Sequence, residues 1–252
     1  LGVKPWGYPY LFLSLGLLAL FFFLYWLRPA SRRAMLLSAL LSAPYAFASL
    51  AFVPRYWEPV RVIEWITGLE DLAFSFANGG LVWFTSGLFL SPERPVRLSL
   101  SGLGRYLRVT LAGIGLSFVW CLLDSGVMNA LLLTTIGLVL FFLLRRPARW
   151  RTALCGGLGF TILYLLVFKA ALVFCPRFID QWNPAALSGL VVFRVPLEEL
   201  LWAMAFGSFW PLFMAFVLLE PRASRPGPDR SRLQPSWNTS RERFKRNRPG
   251  VG

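Results

Sequence analysis

Long apolar runs separated by short polar breaks make up most of the chain. A helix needs about 20 mostly apolar residues to cross a bilayer. Seven runs approach that length, covering roughly 8–27, 34–53, 66–90, 107–123, 127–144, 152–174 and 195–219. The third is the longest and is expected to tilt. The fourth is short and ends at Asp124-Ser125-Gly126, which reads as a tight hairpin to the fifth. The first run has no basic stretch before it and is too long for a signal peptide, so it reads as a retained span. The pattern predicts an all-α, polytopic membrane protein with seven transmembrane helices.

Charge orients these spans. Basic residues concentrate on the cytoplasmic side of membrane proteins. The breaks after the first, third and fifth runs, together with the tail, hold 20 of the 26 Lys and Arg. Lys4, Arg55, Arg61, Arg177 and Arg194 fall on the other side, and Lys169 lies within a run. This predicts an N-terminus outside and a C-terminus in the cytoplasm, in what we expect to be a bacterial cytoplasmic membrane. Residues 1–220 form the membrane domain. Residues 221–252, rich in Arg, Pro, Ser and Asn, read as a basic disordered cytoplasmic tail. Asn238-Thr239-Ser240 fits a glycosylation sequon, but on that side it is accidental.

Composition narrows the chemistry. The chain is 56% hydrophobic and 15% charged, whereas soluble domains average about 45–50% and about 25%. Its net charge of +14 needs no nucleic acid, because anionic lipid at the basic tail accounts for it. It has no histidine, which excludes His-based triads and metal sites. Three scattered cysteines, at 121, 155 and 175, form no metal or redox motif. Carboxylates, hydroxyls and aromatic rings are what remain.

The chain also repeats itself. Pro54-Arg55-Tyr56 matches Pro176-Arg177-Phe178, and Trp57-Glu58-Pro59 matches Trp182-Asn183-Pro184. Leu69-Glu70-Asp71-Leu72 matches Leu197-Glu198-Glu199-Leu200, with Phe74 against Trp202 and Gly79 against Gly207 at an offset of 128 residues. Two three-helix repeats, 8–90 and 127–219, would then run parallel, joined by a linking helix at 107–123.

Glu70, Asp71, Glu198 and Glu199 are expected about one turn inside the outer ends of their spans. Ionisable groups there are functional candidates by default. Repulsion and desolvation favour keeping one carboxyl of each pair protonated, which makes an acid and a base without a cofactor. Glu198, Trp202, Phe206 and Trp210 share one helix face, as do Glu70, Phe74 and Asn78. Aromatic faces attract cations, so such a cavity could shelter a carbocation. An acidic pair in a first turn also suits the helix dipole alone, and membrane aromatics often only pack. Lys169 is expected to pair with Glu198 or Glu199, or else to snorkel outward. The glycines at 156–159 suit close helix packing.

Val195-Pro196-Leu197-Glu198-Glu199-Leu200-Leu201-Trp202, with Trp182-Asn183-Pro184 before it and Phe206-Gly207 after it, resembles the membrane-integral lycopene cyclases of bacteria and fungi. The resemblance extends over most of residues 8–219. In the first repeat, Gly68 stands where that family has proline, and Asp71 replaces the second Glu. The resemblance implies proton-initiated ring closure of an apolar polyene, with no electron carrier consumed. It assigns the acid to Glu198 or Glu199, and the base or partner carboxylates to Glu70 and Asp71. Trp202, Phe206 and Phe74 would face the cation, and Asn78 and Trp182 would complete the substrate contacts. The expected partners are an isoprenoid substrate and the bilayer, and a homodimer stays open. Cyclisation of another isoprenoid and proton-coupled transport are the competing readings. A retinal sensor would need a lysine in the last span, and a prenyltransferase would need Asp-rich Mg²⁺ sites; the chain has neither.

Overall fold

The computed structural model describes residues 7–63, 65, 67–87 and 96–219. The tail, its sequon, Lys4, Arg94 and the end of the third run lie outside the described residues.

The described chain is all-α apart from one small hairpin. Its helices are α1 (Pro9–Leu27), α2 (Arg32–Ser42), α3 (Ser49–Phe52), α4 (Leu69–Gly87), α5 (Leu100–Leu122), α6 (Val127–Arg145), α7 (Trp150–Phe174) and α8 (Leu197–Leu218). Six segments are long and apolar enough to cross a membrane: Pro9–Leu27, Pro29–Phe52, Leu100–Leu122, Val127–Arg145, Pro147–Phe174 and Leu197–Leu218. Their outward faces carry apolar side chains such as Phe22, Phe23, Leu111, Ile114, Leu140 and Leu166, which water would reject and lipid accepts. The chain is thus built as a membrane protein.

The third expected span is α4, which is not among those six. Its position explains its composition. It packs against α1, α2, α7 and α8, so its surface faces protein, and Glu70, Asp71, Asn78 and Ser86 are all buried on it. Interior helices need not be apolar to satisfy lipid.

Two local features depart from the expected boundaries and a third matches them. The second run breaks: α2 gives way to a 3₁₀ stretch at Ala43–Ala48 before α3. Pro44 has no N–H to continue the ladder, and the break turns Ser49 inward. The linking helix starts at Leu100 rather than 107. The Ser99 hydroxyl caps it by accepting the Gly102 amide at 3.1 Å. The expected hairpin at Asp124-Ser125-Gly126 is present, with positive φ at Asp124 (59°) and Gly126 (71°).

Close backbone approach holds the centre together. A Cβ on Gly156 would meet the carbonyl oxygen of Gly207, and one on Gly207 would lie 2.7 Å from the carbonyl of Gly156. The glycines of α7 therefore serve helix packing, as expected. On the other side of α4, the Ser38 hydroxyl donates to the Gly79 carbonyl at 2.6 Å and accepts the Trp210 indole N–H at 2.8 Å. One buried serine thus ties together α2, α4 and α8.

Candidate active site

The two Trp-x-Pro segments meet at one end of the bundle. Trp57 and Trp182 form an antiparallel bridge, with Glu58 N–H donating to the Gln181 carbonyl and Asn183 N–H to that of Tyr56. This pairing sets the first turns of α4 and α8 beside one another. The carboxylates are the second and third residues of each helix, closer to the ends than expected, because the helices begin at Leu69 and Leu197.

Within each pair the two acids diverge. Successive helical residues are about 100° apart, so only one can face the bundle axis. Asp71 and Glu199 do so, and both line one cavity of about 200 Å³. Glu70 and Glu198 turn to the preceding loops. Glu70 accepts the Val62 amide at 3.0 Å, and Glu198 accepts the Ser188 amide at 2.6 Å. Glu198 is therefore the one member of its i, i+4 line that leaves the cavity face, while Trp202, Phe206 and Trp210 stay on it. That face runs Glu199, Trp202, Phe206, Phe209 and Trp210 on α8, and Asp71, Phe74, Ser75 and Asn78 on α4.

The two cavity acids have unlike partners. Asp71 Oδ2 forms an ion pair with Arg61 Nη2 at 2.8 Å and accepts the Gly68 amide at 2.7 Å. Its Oδ1 accepts the hydroxyls of Tyr10 (3.0 Å) and Ser49 (2.7 Å). Among the described residues Glu199 has only neutral donors: Tyr56 (2.9 Å) and the Trp182 indole (2.9 Å) on Oε1, and Tyr164 (2.8 Å) on Oε2. Burial pushes the Tyr56 phenol well above its usual range.

Rings make up the rest of the wall. Trp202 and Phe206 stack at 5.4 Å, Phe206 and Trp210 at 5.5 Å, and Phe74 stacks on Trp202 at 5.8 Å. These faces present π density to anything cationic between them. Trp182 lines both this cavity and a larger groove, of about 1290 Å³, on the loop side. Arg61 lines that groove as well, so it reaches Asp71 from the groove side.

Lys169 does not join the site. Its Nζ donates to the Phe193 carbonyl at 3.2 Å, so the expected pairing with Glu198 or Glu199 is replaced by an exposed contact with the hairpin of β1 (Val191–Val192) and β2 (Val195–Pro196). An exposed backbone acceptor costs the ammonium far less desolvation than the buried acids would. The partners that sequence reasoning missed are Tyr10, Ser49, Tyr56, Arg61 and Tyr164. Only Tyr56 and Arg61 carried a signal, through their place in or beside the repeated Pro-Arg-aromatic block.

Residues 126–217 match the family model for lycopene cyclase. No curated protein and no solved structure matches the chain. The matched segment holds α6, α7, the loop with Trp182, and α8 with Glu198 and Glu199 up to Val217. Residues 126–217 of this chain are therefore a lycopene cyclase family domain.

Proposed function

We propose that the chain is a carotenoid cyclase that closes a six-membered ring on an acyclic polyene end group by acid–base chemistry alone. One observation carries the reading: two carboxyls, one with a cation and one without, line the same aromatic cavity. Arg61 stabilises Asp71 as the anion, which suits a base. Among the described residues Glu199 has no cation partner, and it is the group suited to carry a proton.

In this scheme Glu199 protonates the terminal double bond and leaves a tertiary cation. The internal double bond attacks it, a carbon–carbon bond closes the ring, and the positive charge moves to a ring carbon. Phe74, Trp202 and Phe206 stabilise the cation through their faces. Asp71 removes a proton from a neighbouring carbon, and the new double bond completes a redox-neutral isomerisation. An engineered apolar cavity of roughly 150 Å³ holds benzene. The cavity here, about 200 Å³, suits one branched end group, with the rest of the polyene outside it. Glu70 and Glu198 order the loops that cover the site.

The finer architecture belongs to the same reading. At about 1.5 Å per residue, the 19 residues of α4 are long enough for a membrane core of about 30 Å, so α4 is a seventh crossing shielded from lipid. The paired Trp-x-Pro loops and first-turn acids support two parallel repeats. The basic breaks place those loops outside and the tail in the cytoplasm.

The test is pigment analysis in a bacterium that accumulates lycopene and expresses the chain or its variants. Ringed carotenoids are expected from the wild type. Their loss is expected in Glu199→Gln and Asp71→Asn, and their retention in Glu198→Gln. Unchanged lycopene with the protein present in the membrane would reject this substrate, and full activity in Glu199→Gln would reject the assigned acid.

A further inference from the structure

The proposed reaction needs only the end group of a polyene, and a cavity of about 200 Å³ holds little more. The rest of the chain must therefore leave through an opening in the wall. Two directions are available. Towards the loops, Phe178 and Trp182 line both the cavity and the larger groove. That groove carries Glu58, Arg61, Arg177 and Asp180. A hydrocarbon laid among them would displace the hydration of those charges and offer them no partner. The other direction is sideways, towards lipid.

The broken second span supplies a side opening. Of the described residues that line the cavity, Ala48 alone is exposed. It lies within the apolar segment Pro29–Phe52, and its neighbours Phe47 and Leu50 are 64% and 60% exposed. The cavity therefore reaches the lipid-facing surface at Ala48. The helix α6, which packs against α3, brings the half-buried Leu131 to the same cavity, about 6 Å inside the start of that helix. The surrounding polar groups are already engaged. Thr135 turns its hydroxyl to the Leu131 carbonyl at 2.7 Å, and Tyr45 shares its own with Thr110 at 2.7 Å. The opening is also level with the chemistry, because the next residue, Ser49, donates its hydroxyl to Asp71 at 2.7 Å.

Building on the cyclase reading, we infer that the polyene passes sideways between the bilayer and the cavity through a port edged by Ala48 and Leu131. The end group lies between Asp71 and Glu199 while the remaining chain stays in lipid, so the apolar chain never has to cross water. The side chain at 48 is a single methyl, which leaves the port clear from that edge. Ala48 is thus a residue that acts on long substrates and is indifferent to short ones.

The test uses the full chain in liposomes with two probes: lycopene, and a short acyclic hydrocarbon that carries only the same end group. Ala48→Cys is folded and reconstituted before a bulky lipid-soluble maleimide is attached, so the plug arrives after folding. Leu50→Cys, beside the port but outside the cavity lining, and the wild type, whose Cys121 is exposed, are treated alike. Binding is read at equilibrium as quenching of tryptophan emission, and cyclisation as the initial rate on lycopene. The Ala48→Cys adduct should lose lycopene binding and rate by about tenfold or more and keep its affinity for the short probe. The two controls should keep both. Full lycopene binding in the adduct overturns the port and leaves the cyclase intact, the chain then passing on the loop side. Equal loss of both probes also overturns it, because Ala48 would then support the cavity rather than pass the chain, and so does an equal loss in Leu50→Cys. A wild type that lycopene does not quench overturns both readings. Lycopene binding that depends on an open Ala48, with no ring formed by any of the proteins, keeps the port and sinks the cyclase reading instead.

Discussion

Replacing Arg61 with Met removes the one cation that, among the described residues, pairs with Asp71. The pair is 2.8 Å apart, with side chains 5% and 3% exposed, so neither charge can recover hydration in place. Breaking a buried pair by removing one partner costs about 3–5 kcal/mol. Asp71 would keep the Tyr10 and Ser49 hydroxyls and the Gly68 amide, which argues for the lower end, about 3 kcal/mol. Asp71→Asn alone should cost a similar amount, because it strands the guanidinium with only the Trp65 carbonyl. The double variant holds no uncompensated charge, so its loss should fall short of the sum by about 2 kcal/mol or more. Unfolding in mixed micelles of all four proteins measures this coupling. Losses that add to within about 0.5 kcal/mol would show that Arg61 and Asp71 act independently and refute the ion-pair argument. Ring formation should follow a different rule. It should fall in Arg61→Met and stay absent in the double variant even though stability partly returns. Arg61→Lys should recover charge without the fork that reaches both Asp71 and Trp65, and so only part of the rate.

Gly156→Ala should destabilise by about 1–3 kcal/mol or more through overpacking, because its Cβ meets the Gly207 carbonyl and lies 3.0 Å from Pro211; Gly115→Ala, with nothing within 4 Å, should be neutral or stabilising by up to about 1 kcal/mol, as the same unfolding assay will show. Tyr164→Phe leaves Oε2 of Glu199 without its donor, so about 1–3 kcal/mol should be lost, together with turnover more than substrate affinity, as steady-state kinetics in liposomes would separate. The raised Tyr56 phenol keeps its proton when the unfolded chain begins to lose its own near pH 10. The folded state then binds more protons, so its contribution is intact below about pH 10 and declines above it; a pH series of melting curves should show this decline weakened in Tyr56→Phe.

The helices were legible because the pressure that makes them is one-dimensional. Lipid demands apolar side chains over about 20 residues, and the runs ending at Leu27 and Phe174 state that requirement directly. Boundaries failed where another force took over. At Pro44 a missing N–H broke a run that looks continuous by apolarity alone. At Ser99 a hydroxyl cap started a helix in a segment whose glycines and arginines suggest a loop. The site was half legible. Repetition singled out the four acids, but apolar periodicity carries no information about which of two neighbours faces inward. The tyrosines stayed hidden for a related reason. Tyr10 and Tyr164 sit in apolar runs where a phenol differs little from Phe until a carboxylate is found within 3.0 Å of its hydroxyl.

The unlike chemistry of Asp71 and Glu199 follows from the residue in front of each helix. An acid at the third helical position can reach back to the amide of the residue just before the helix, closing half of a capping box. Asp71 does this with Gly68. The missing side chain of Gly68 also leaves room for Arg61, whose Cδ would lie 3.3 Å from a Cβ at that position. The first site thus becomes short, charged and tied to backbone. At α8 the corresponding residue is Pro196, which has no N–H to offer. Glu199 is released from its own backbone, and its longer arm reaches Tyr56, Tyr164 and Trp182 on three other segments. Gly68 and the shorter side chain of Asp71 therefore act together at the start of α4. Together they give one cavity an acid paired with Arg61 on one wall and, among the described residues, an acid held by neutral groups on the other. Two identical helix starts would place the same carboxyl environment on both walls, whereas the ring closure we propose needs one group to give a proton and another to take one.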